Sequence, residues 1–264
     1  MSKTRVIIGG SEGRMGRVLQ EIISKSADIQ VELGFDPKKA DLKSFSDVLK
    51  LSGSLEKRAD VYVDFTSPTA VVSNVEQVSE VGIDSLIGTT GWYDRLDEMR
   101  KIAIKSGRRI LYASNFAPGV NVLFYLTHEA ARLLERFGYD TAVHEVHHSA
   151  KVDAPSGTAM TLGNILQKGM KRKKLAYERR EKRKDTEIDI IGARVGRVAG
   201  YHEVWFTPKD SYAERLILQH DAFTPDVFAI GALVGIRWLA EARQKRKPAG
   251  LYTFYEDVLG LGKL

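Results

Sequence analysis

Apolar residues fall into short runs and helically spaced sets over the first 117 residues. TRVIIG (4–9) is a β-branched run followed by glycines, which is typical of a buried strand that ends in a tight turn. Residues 14–24 carry apolar side chains at helical spacing, which predicts an amphipathic helix. Further strands are predicted at 31–35, 61–66, 84–91 and 109–116, with helices at 75–82 and 99–107. Strands that alternate with helices predict an α/β fold with a doubly wound parallel sheet.

The pattern changes after residue 117. Residues 117–138 form one long helical pattern, with Pro118 near its start and Gly138 at its end. Three extended segments follow without a helix between each pair, at 141–148, 190–208 and 214–223, and a last helix is predicted at 228–243. These features predict a second, α+β domain built on an open mixed sheet.

Length and composition agree with a two-domain protein. A chain of 264 residues is near the size at which a single core stops growing. There is no cysteine, so disulfides and thiolate metal sites are excluded. No apolar run approaches the roughly 20 residues of a membrane helix, and the apolar part of the N-terminal segment is too short for a signal peptide. We therefore expect a soluble, cytoplasmic protein without a membrane partner.

The chain is basic, with a formal net charge of +6 and a pI of about 9.3. Much of the excess lies in the run 168–184, which is most simply a solvated segment. A basic balance suits small anionic ligands or nucleic acid. Nucleic acid is the less favoured partner, because the sequence has neither a helix-turn-helix pattern nor an aromatic stacking motif.

A glycine-rich turn joins the first predicted strand to the first predicted helix. Its residues are Gly10, Ser11, Glu12, Gly13, Arg14, Met15 and Gly16. In a dinucleotide-binding turn, the first glycine permits the tight turn, the second lets the backbone approach a pyrophosphate, and the third lets helix and strand pack closely. The spacing here is GxxGxxG rather than GxGxxG, so a glycine turn without a ligand remains the alternative.

Asp36 ends the second predicted strand, about 20 residues beyond the last glycine of the turn. An acidic side chain there binds the ribose 2′-hydroxyl of NAD and repels the 2′-phosphate of NADP. We therefore expect NADH to be preferred, with NADPH possible because Lys38 and Lys39 lie close by. The alternative is a simple turn residue before Pro37.

Polar turns follow the fourth and fifth predicted strands. They contain Gly88, Thr89 and Thr90, and Ala113, Ser114, Asn115 and Phe116. Ligands of open α/β sheets bind outside the carboxyl ends of the strands, so these residues are candidates for contacts with the nicotinamide half of a cofactor.

The segment HEVHHSAKVDAPSGTAMTL (144–162) concentrates histidines and a lysine ahead of a predicted helix start. Alternation along a strand places Glu145 and His147 on one face and His144 and His148 on the other. Ser156 is a plausible N-cap for a helix whose first turn offers unpaired N–H groups to a carboxylate. Crowded cations would bring Lys151 closer to acting as a proton donor.

Two alternatives to an anion site exist for this segment. One histidine could cap a strand, another could pack in the core, and the lysine could lie on the surface. A zinc site is not expected, because the spacing of carboxylates and histidines matches no known zinc signature.

Several segments together resemble the 4-hydroxy-tetrahydrodipicolinate reductase (dihydrodipicolinate reductase) family of lysine biosynthesis. They are GGSEGRMG (9–16), DFT (64–66), GTTGW (88–92), SNFAPGVN (114–121) and EVHHSAKVDAPSGTA (145–159). The resemblance implies a Rossmann-type nicotinamide-binding domain at 1–117 and 226–264. It also implies an inserted domain at 118–225 that binds a dicarboxylate substrate and builds a homotetramer.

The resemblance also implies roles for individual residues. His147 and Lys151 would exchange protons with the substrate, and His148, Gly157 and Thr158 would hold its carboxylates. The residues from Gly10 to Met15, Asp36, and the two polar turns would contact the cofactor. This chain departs from the family pattern at Pro37 and Pro225, where an arginine is common.

Two other functions compete with this hypothesis, the first within the same class of Rossmann dehydrogenases and the second in a different class. An aspartate dehydrogenase-like enzyme of amino-acid metabolism would share the cofactor domain but would not require the His147–His148–Lys151 set. A nucleotide-sensing, nucleic-acid-binding protein would instead use the basic run 168–184.

Overall fold

The computed structural model describes residues 3–37, 42–50, 59–171, 174–177, 182–210 and 213–262. The chain separates into two compact units, one running to Ala117 and resuming at Asp226–Gly262, the other spanning Pro118–Pro225. None of the helices in the described ranges is both long and apolar enough to cross a membrane.

The described residues form these elements in chain order. The strands are β1 (Thr4–Gly9), β2 (Ile29–Phe35), β3 (Val61–Asp64), β4 (Asp84–Ile87), β5 (Arg109–Tyr112), β6 (Tyr139–His147), β7 (Lys174–Ala176), β8 (Glu187–Arg194), β9 (Gly200–Pro208), β10 (Leu216–Ala222) and β11 (Gly250–Thr253). The helices are α1 (Arg14–Ser24), α2 (Phe45–Lys50), α3 (Val71–Glu80), α4 (Leu96–Ser106), α5 (Pro118–Leu134), α6 (Gly157–Gly169) and α7 (Asp226–Gln244).

The first unit is a parallel sheet in the order β11-β5-β4-β3-β1-β2, which confirms the predicted doubly wound fold. The central strands β3 and β4 are buried on both faces, as is usual for parallel sheets, whereas the edge strands β2 and β11 are mostly half-buried. Val6 and Ile8 belong to a core that includes residues of α1 and α7, whereas Ile7 belongs to a second core with residues of α3 and α4.

Local patterns located most of these elements well. β1 and α1 have the predicted bounds, and α7 begins two residues before the predicted 228. The predicted strands at 84–91 and 109–116 end earlier, at Ile87 and Tyr112, because the polar turns that follow leave the sheet. Helix α2 and strand β11 were not predicted, since both are too short to show a period.

The second unit contains the mixed sheet that the sequence predicted, in the order β10-β9-β6-β8-β7. β9 is antiparallel to both β6 and β10, whereas β8 is parallel to both β6 and β7. Alternate residues of β6 are buried, and α6 packs against this strand and β8. The predicted helix 117–138 is α5 followed by a 3₁₀ turn, and Gly138 ends it in the left-handed conformation (φ 69°).

Candidate functional site

The chain reverses its direction of travel across the first sheet at β1, which lies between β2 and β3. Such a switch point opens a crevice at the carboxyl ends of the strands, where α/β proteins bind ligands. Strands β1, β3, β4 and β5 end at this edge of the sheet and are directly followed by Gly10, Phe65, Gly88 and Ala113, respectively. The residues predicted to contact a cofactor are therefore collected along one edge of the sheet.

The glycine turn has no room for side chains at its first and third glycines. Gly10 has φ +74°, and a Cβ added there would lie 2.3 Å from the Phe65 carbonyl oxygen. A Cβ at Gly16 would lie 2.2 Å from the Gly10 carbonyl oxygen. The turn is held to β2 by the Gly10 N–H, which donates to the Phe35 carbonyl at 2.8 Å. Glycine is thus required by the tight turn and by the close contact of turn and helix, as the motif predicted.

Helix α1 begins at Arg14, directly after the second glycine of this turn, and no side chain caps its N-terminus. Its first turn has no acidic residue, so the positive end of the helix dipole is not offset there. A glycine cradle in front of such a helix end suits a pyrophosphate. The residues present therefore fit a dinucleotide.

Asp64 organises the end of β3 and was not predicted to have a role. Its carboxylate is fully buried and accepts hydrogen bonds from both sides. Oδ1 accepts from the Thr66 N–H at 3.0 Å and hydroxyl at 2.8 Å, and from Thr89 Oγ1 at 2.6 Å. Oδ2 accepts from Tyr62 Oη at 2.6 Å and Asn74 Nδ2 at 3.2 Å.

Gly88 is the close neighbour of the Phe65 ring. A Cβ at Gly88 would lie 2.1 Å from the Phe65 ring, and the Gly88 N–H donates to the Asp64 carbonyl at 2.9 Å. Thr89 is buried and Thr90 is exposed. The turn after β4 is therefore fixed against the turn after β3.

The remaining cofactor candidates also lie at this edge. Asp36 directly follows β2 with an exposed fraction of 9%, and its N–H donates to the Leu42 carbonyl at 3.0 Å. Asn115 Oδ1 accepts from the Ala117 N–H at 2.8 Å. Lys38 and Lys39, and residues 172–173 and 178–181 of the basic run, lie outside the described residues.

The second unit brings Glu145 and His147 to the buried face of β6, as alternation predicted. Glu145 Oε1 accepts from the Ser156 N–H and from Arg194 Nη2, both at 3.0 Å. Glu145 Oε2 lies 3.3 Å from His147 Nδ1 and 3.8 Å from His202 Nε2. The carboxylate is thus enclosed by two imidazoles, a guanidinium and a backbone N–H.

These surroundings fix the charge of two members of the cluster. Burial alone would raise the pKa of Glu145, but hydrogen bonds from His147, Ser156 and Arg194 outweigh it and hold the pKa at about 2. Burial, with a further contribution from His147, lowers the pKa of His202 to about 3. At neutral pH, Glu145 is therefore ionised and His202 is uncharged.

Ser156 is the N-cap of α6, as predicted, because its Oγ accepts from the Ala159 N–H at 3.1 Å. Thr158 is buried in the first turn, whereas a Cβ added at Gly157 would meet no atom within 4 Å. The start of α6 therefore borders open space at Gly157, where its N–H groups can reach an anion.

Lys151 and His148 lie beyond the end of β6. The Lys151 N–H donates to the His148 carbonyl at 3.0 Å, and Lys151 Nζ pairs with Asp153 Oδ1 at 2.7 Å. Lys151 therefore has a carboxylate partner, which the prediction from crowded cations did not include. Burial alone would raise the pKa of Asp153, but the hydrogen bond from Lys151 lowers it, so the loop holds a charged pair.

Sequence reasoning gave no role to Glu145, Arg194 or His202. Arg194 comes from β8, opposite His147, and His202 comes from β9, opposite Glu145. One signal was available, since alternation had already placed Glu145 on the face of His147. The strand pairings that bring the other two were not readable from local pattern.

The same pairings bring possible ligands of a cation together. Atoms of Glu145, His147 and His202 lie within 4.8 Å of one another. These three residues come from two strands, so the spacing along the chain that disfavoured zinc does not reveal their proximity. The Arg194 guanidinium 3.0 Å from Glu145 already supplies a positive charge, which disfavours a divalent ion beside it.

The switch-point crevice and the glycine cradle define a Rossmann-type dinucleotide-binding protein, and its second unit carries a buried cluster of Glu145, His147, Arg194 and His202. Sequence models of the dihydrodipicolinate reductase N-terminus and C-terminus match residues 4–116 and 119–259. The chain belongs to the dihydrodipicolinate reductase family.

Relatives agree over almost the whole chain. The 4-hydroxy-tetrahydrodipicolinate reductase of Aquifex aeolicus is 35% identical, covering 97% of this chain and 99% of that one. The enzyme of the same name from Methanoregula boonei is 35% identical, covering 98% of this chain and 99% of that one. A dipicolinate-bound dihydrodipicolinate reductase from Paenisporosarcina sp. TG-14 has the same fold, with a TM-score of 0.69 at 22% identity over 95% and 97% of the two chains. The family, the reductase class and the fold predicted from the sequence are confirmed.

Proposed function

We propose that this chain catalyses the NAD(P)H-dependent reduction of 4-hydroxy-tetrahydrodipicolinate to tetrahydrodipicolinate, in the diaminopimelate route of lysine biosynthesis. The net reaction adds one hydride and one proton to the ring and releases one water. The observation that carries the proposal is that one chain contains both a glycine cradle, in its first unit, and the residues His147 and Lys151, in its second. A dianionic substrate requires donors of positive charge, and a hydride acceptor requires a nearby proton source.

The cofactor supplies the hydride, and the chain supplies its binding site. Residues Gly10 to Met15 would hold the pyrophosphate, because the turn leaves the start of α1 free of side-chain caps. The turns after β4 and β5 would hold the nicotinamide half. Asp36 supports a preference for NADH over NADPH, since its carboxylate would accept from a ribose hydroxyl and repel a phosphate.

Proton transfer and substrate binding are assigned within the second unit. His147 and Lys151 would exchange protons with the substrate, and Asp153 holds Lys151 in place. His148 and the start of α6, at Gly157 and Thr158, would hold the two carboxylates. The open space at Gly157 supports this role.

Exposed apolar side chains of the second unit support a homotetramer. Ile191, Val195, Leu216 and Ile217 are apolar side chains of this unit that are between 36% and 54% exposed. Exposed apolar surface of this kind marks an interface between proteins. The absence of cysteine and the biosynthetic activity support a cytoplasmic location.

Replacement of Lys151 tests the proposed chemistry. We expect Lys151→Ala to lower kcat by roughly 10²–10⁴-fold, the range for a positioned proton donor, without weakening cofactor binding. The loss of NADH absorbance in the presence of substrate measures the rate. Lys168→Ala, which removes an exposed lysine of α6, is the matched control and should leave kcat unchanged. Full activity of the Lys151 variant would remove that residue from the mechanism.

A further inference from the structure

Two buried polar atoms face each other on β6. His147 Nδ1 lies 3.3 Å from Glu145 Oε2, and both residues are at least nine-tenths buried. Neither atom has an aligned hydrogen-bond partner among the described residues. Two buried groups that lack other partners are most stable when a proton lies between them.

Glu145 is held in place by its other oxygen. Oε1 accepts from the Ser156 N–H and from Arg194 Nη2, which come from the loop before α6 and from β8. The carboxylate therefore cannot turn away from His147 without breaking two hydrogen bonds. Its depressed pKa keeps it ionised over the working pH range.

Within the part of the chain that the structure describes, no neighbouring strand places a second carboxylate against the His147 ring. His202 packs edge-on against its ring, with centroids 4.9 Å apart, and is uncharged at neutral pH. Other charged or titratable groups near the cluster are Arg194 on β8, the Lys151–Asp153 pair in the loop, and His220 on β10. Glu145 is the carboxylate in contact with the ring.

The opposite nitrogen of the ring is left uncrowded. A Cβ at Gly200 would lie 3.3 Å from His147 Nε2, closer than a side chain normally sits. Glycine at this position keeps β9 clear of that nitrogen. The ring thus has one nitrogen against a fixed anion and one beside a backbone without a side chain.

We infer that Glu145 is a positioning residue that keeps a proton on His147 Nδ1 and thereby directs Nε2 to exchange protons with the substrate. A carboxylate on one nitrogen selects the tautomer of a neutral imidazole and stabilises the imidazolium that forms when Nε2 takes up a proton. This inference rests on the proposed function for the identity of the substrate. The tautomer itself does not depend on that identity.

The chain offers a matched control for the test. Glu203, on the opposite face of the same sheet, also faces a histidine, with Oε1 3.5 Å from His144 Nδ1. Glu203→Gln removes a carboxylate beside a histidine without touching His147. Glu145→Gln makes the same change beside His147, and Glu145→Asp keeps the charge on a shorter side chain.

We expect Glu145→Gln to lower kcat about 10- to 100-fold, with little change in KM, because a positioned proton-transfer group loses its orientation. The limb of the kcat–pH profile that requires protonated His147 should move to lower pH. Glu145→Asp should recover part of the activity, and Glu203→Gln should keep the wild-type profile. An unchanged profile in Glu145→Gln, or the same shift in Glu203→Gln, would overturn the inference.

Imidazole ¹⁵N spectra separate this inference from the proposed function. In the wild-type protein without substrate, we expect His147 to be protonated at Nδ1, and Glu145→Gln to mix the two tautomers. Spectra that show Nε2–H in the wild type overturn the inference even if the reductase activity is present. Loss of wild-type activity on treatment with EDTA also overturns it, because the cluster would then hold a metal. Urea unfolding of each variant shows that it is folded.

Discussion

Thr89 Oγ1 donates a hydrogen bond of 2.6 Å to Asp64 Oδ1 and thereby ties the turn after β4 to the end of β3. The same carboxylate receives the Thr66 N–H and hydroxyl and the Tyr62 hydroxyl. Because these turns border the switch-point crevice, a single buried carboxyl group sets the shape of the edge at which we propose that the cofactor binds.

Asp64→Asn is expected to weaken cofactor binding and to lower the free energy of unfolding by about 2–3 kcal/mol, since an amide NH₂ would face hydrogen-bond donors. Cofactor titration and urea unfolding measure the two effects. Asp60→Asn is the control, because Asp60 precedes β3 at the opposite edge and pairs with Arg5. Asp60→Asn should lower the free energy of unfolding by about 1 kcal/mol or less and leave cofactor affinity unchanged. Equal losses of affinity in both variants would contradict the role of Asp64.

Gly10→Ala should abolish cofactor binding, whereas Gly107→Ala should not affect it. Both glycines are left-handed, with φ of +74° and +71°, so each substitution costs about 1–2 kcal/mol of backbone strain. Only at Gly10 does the new Cβ meet another atom, the Phe65 carbonyl oxygen at 2.3 Å. Calorimetric titration with NADH measures the difference. Tight binding by the Gly10 variant would show that the turn is not the cofactor cradle.

Asp36→Ala should change the cofactor preference toward NADPH. Removing the carboxylate after β2 takes away both the partner of a ribose hydroxyl and the repulsion of a 2′-phosphate. A change of about tenfold in the ratio of kcat/KM values corresponds to about 1.4 kcal/mol. Asp28→Ala, at the opposite end of β2, removes an ion pair with Arg237 and should leave the ratio unchanged. A ratio that is insensitive to Asp36 would assign cofactor choice to other residues.

The depressed pKa of His202 predicts a loss of stability in acid. In the folded protein, the His202 imidazole takes up a proton only near pH 3, whereas in the unfolded chain it does so near pH 6.5. Uncharged His202 therefore makes its full contribution to the free energy of unfolding above pH 6.5, and this contribution is lost as the pH falls toward 3. Between pH 6.5 and 5, wild type should lose about 2 kcal/mol more than His202→Gln. Urea midpoints at the two pH values measure this, and equal losses would show that His202 is protonated in the folded state.

Local sequence was sufficient for the parts of the site that form within one element or one turn. The turn from Gly10 to Gly16 lies between an adjacent strand and helix, and the Ser156 cap is set by the three residues after it. The shared face of Glu145 and His147 follows from alternation alone. Each of these features depends on neighbours in the chain.

The rest of the site depends on strand pairing, which no local pattern encodes. Arg194 reaches Glu145 across 49 residues of sequence, because β8 pairs in parallel with β6. Thr89 reaches Asp64 across 25 residues, because β3 and β4 are neighbours. Of these four residues, the sequence indicated a role only for Thr89, and it indicated none of the partners.

The return of the chain to its first sheet has a consequence for the order of folding. β11 pairs with β5, and Leu239 and Phe254 lie in the same core as Val6. During synthesis, the N-terminal part of the nucleotide domain leaves the ribosome before α7 can complete the core that it shares with α1, and before β11 can pair with β5. The inserted domain is continuous from Pro118 to Pro225, so it can complete its own core before α7 and β11 are synthesised. The domain that is begun first is thus completed last, and its exposed sheet is where chaperones would be needed.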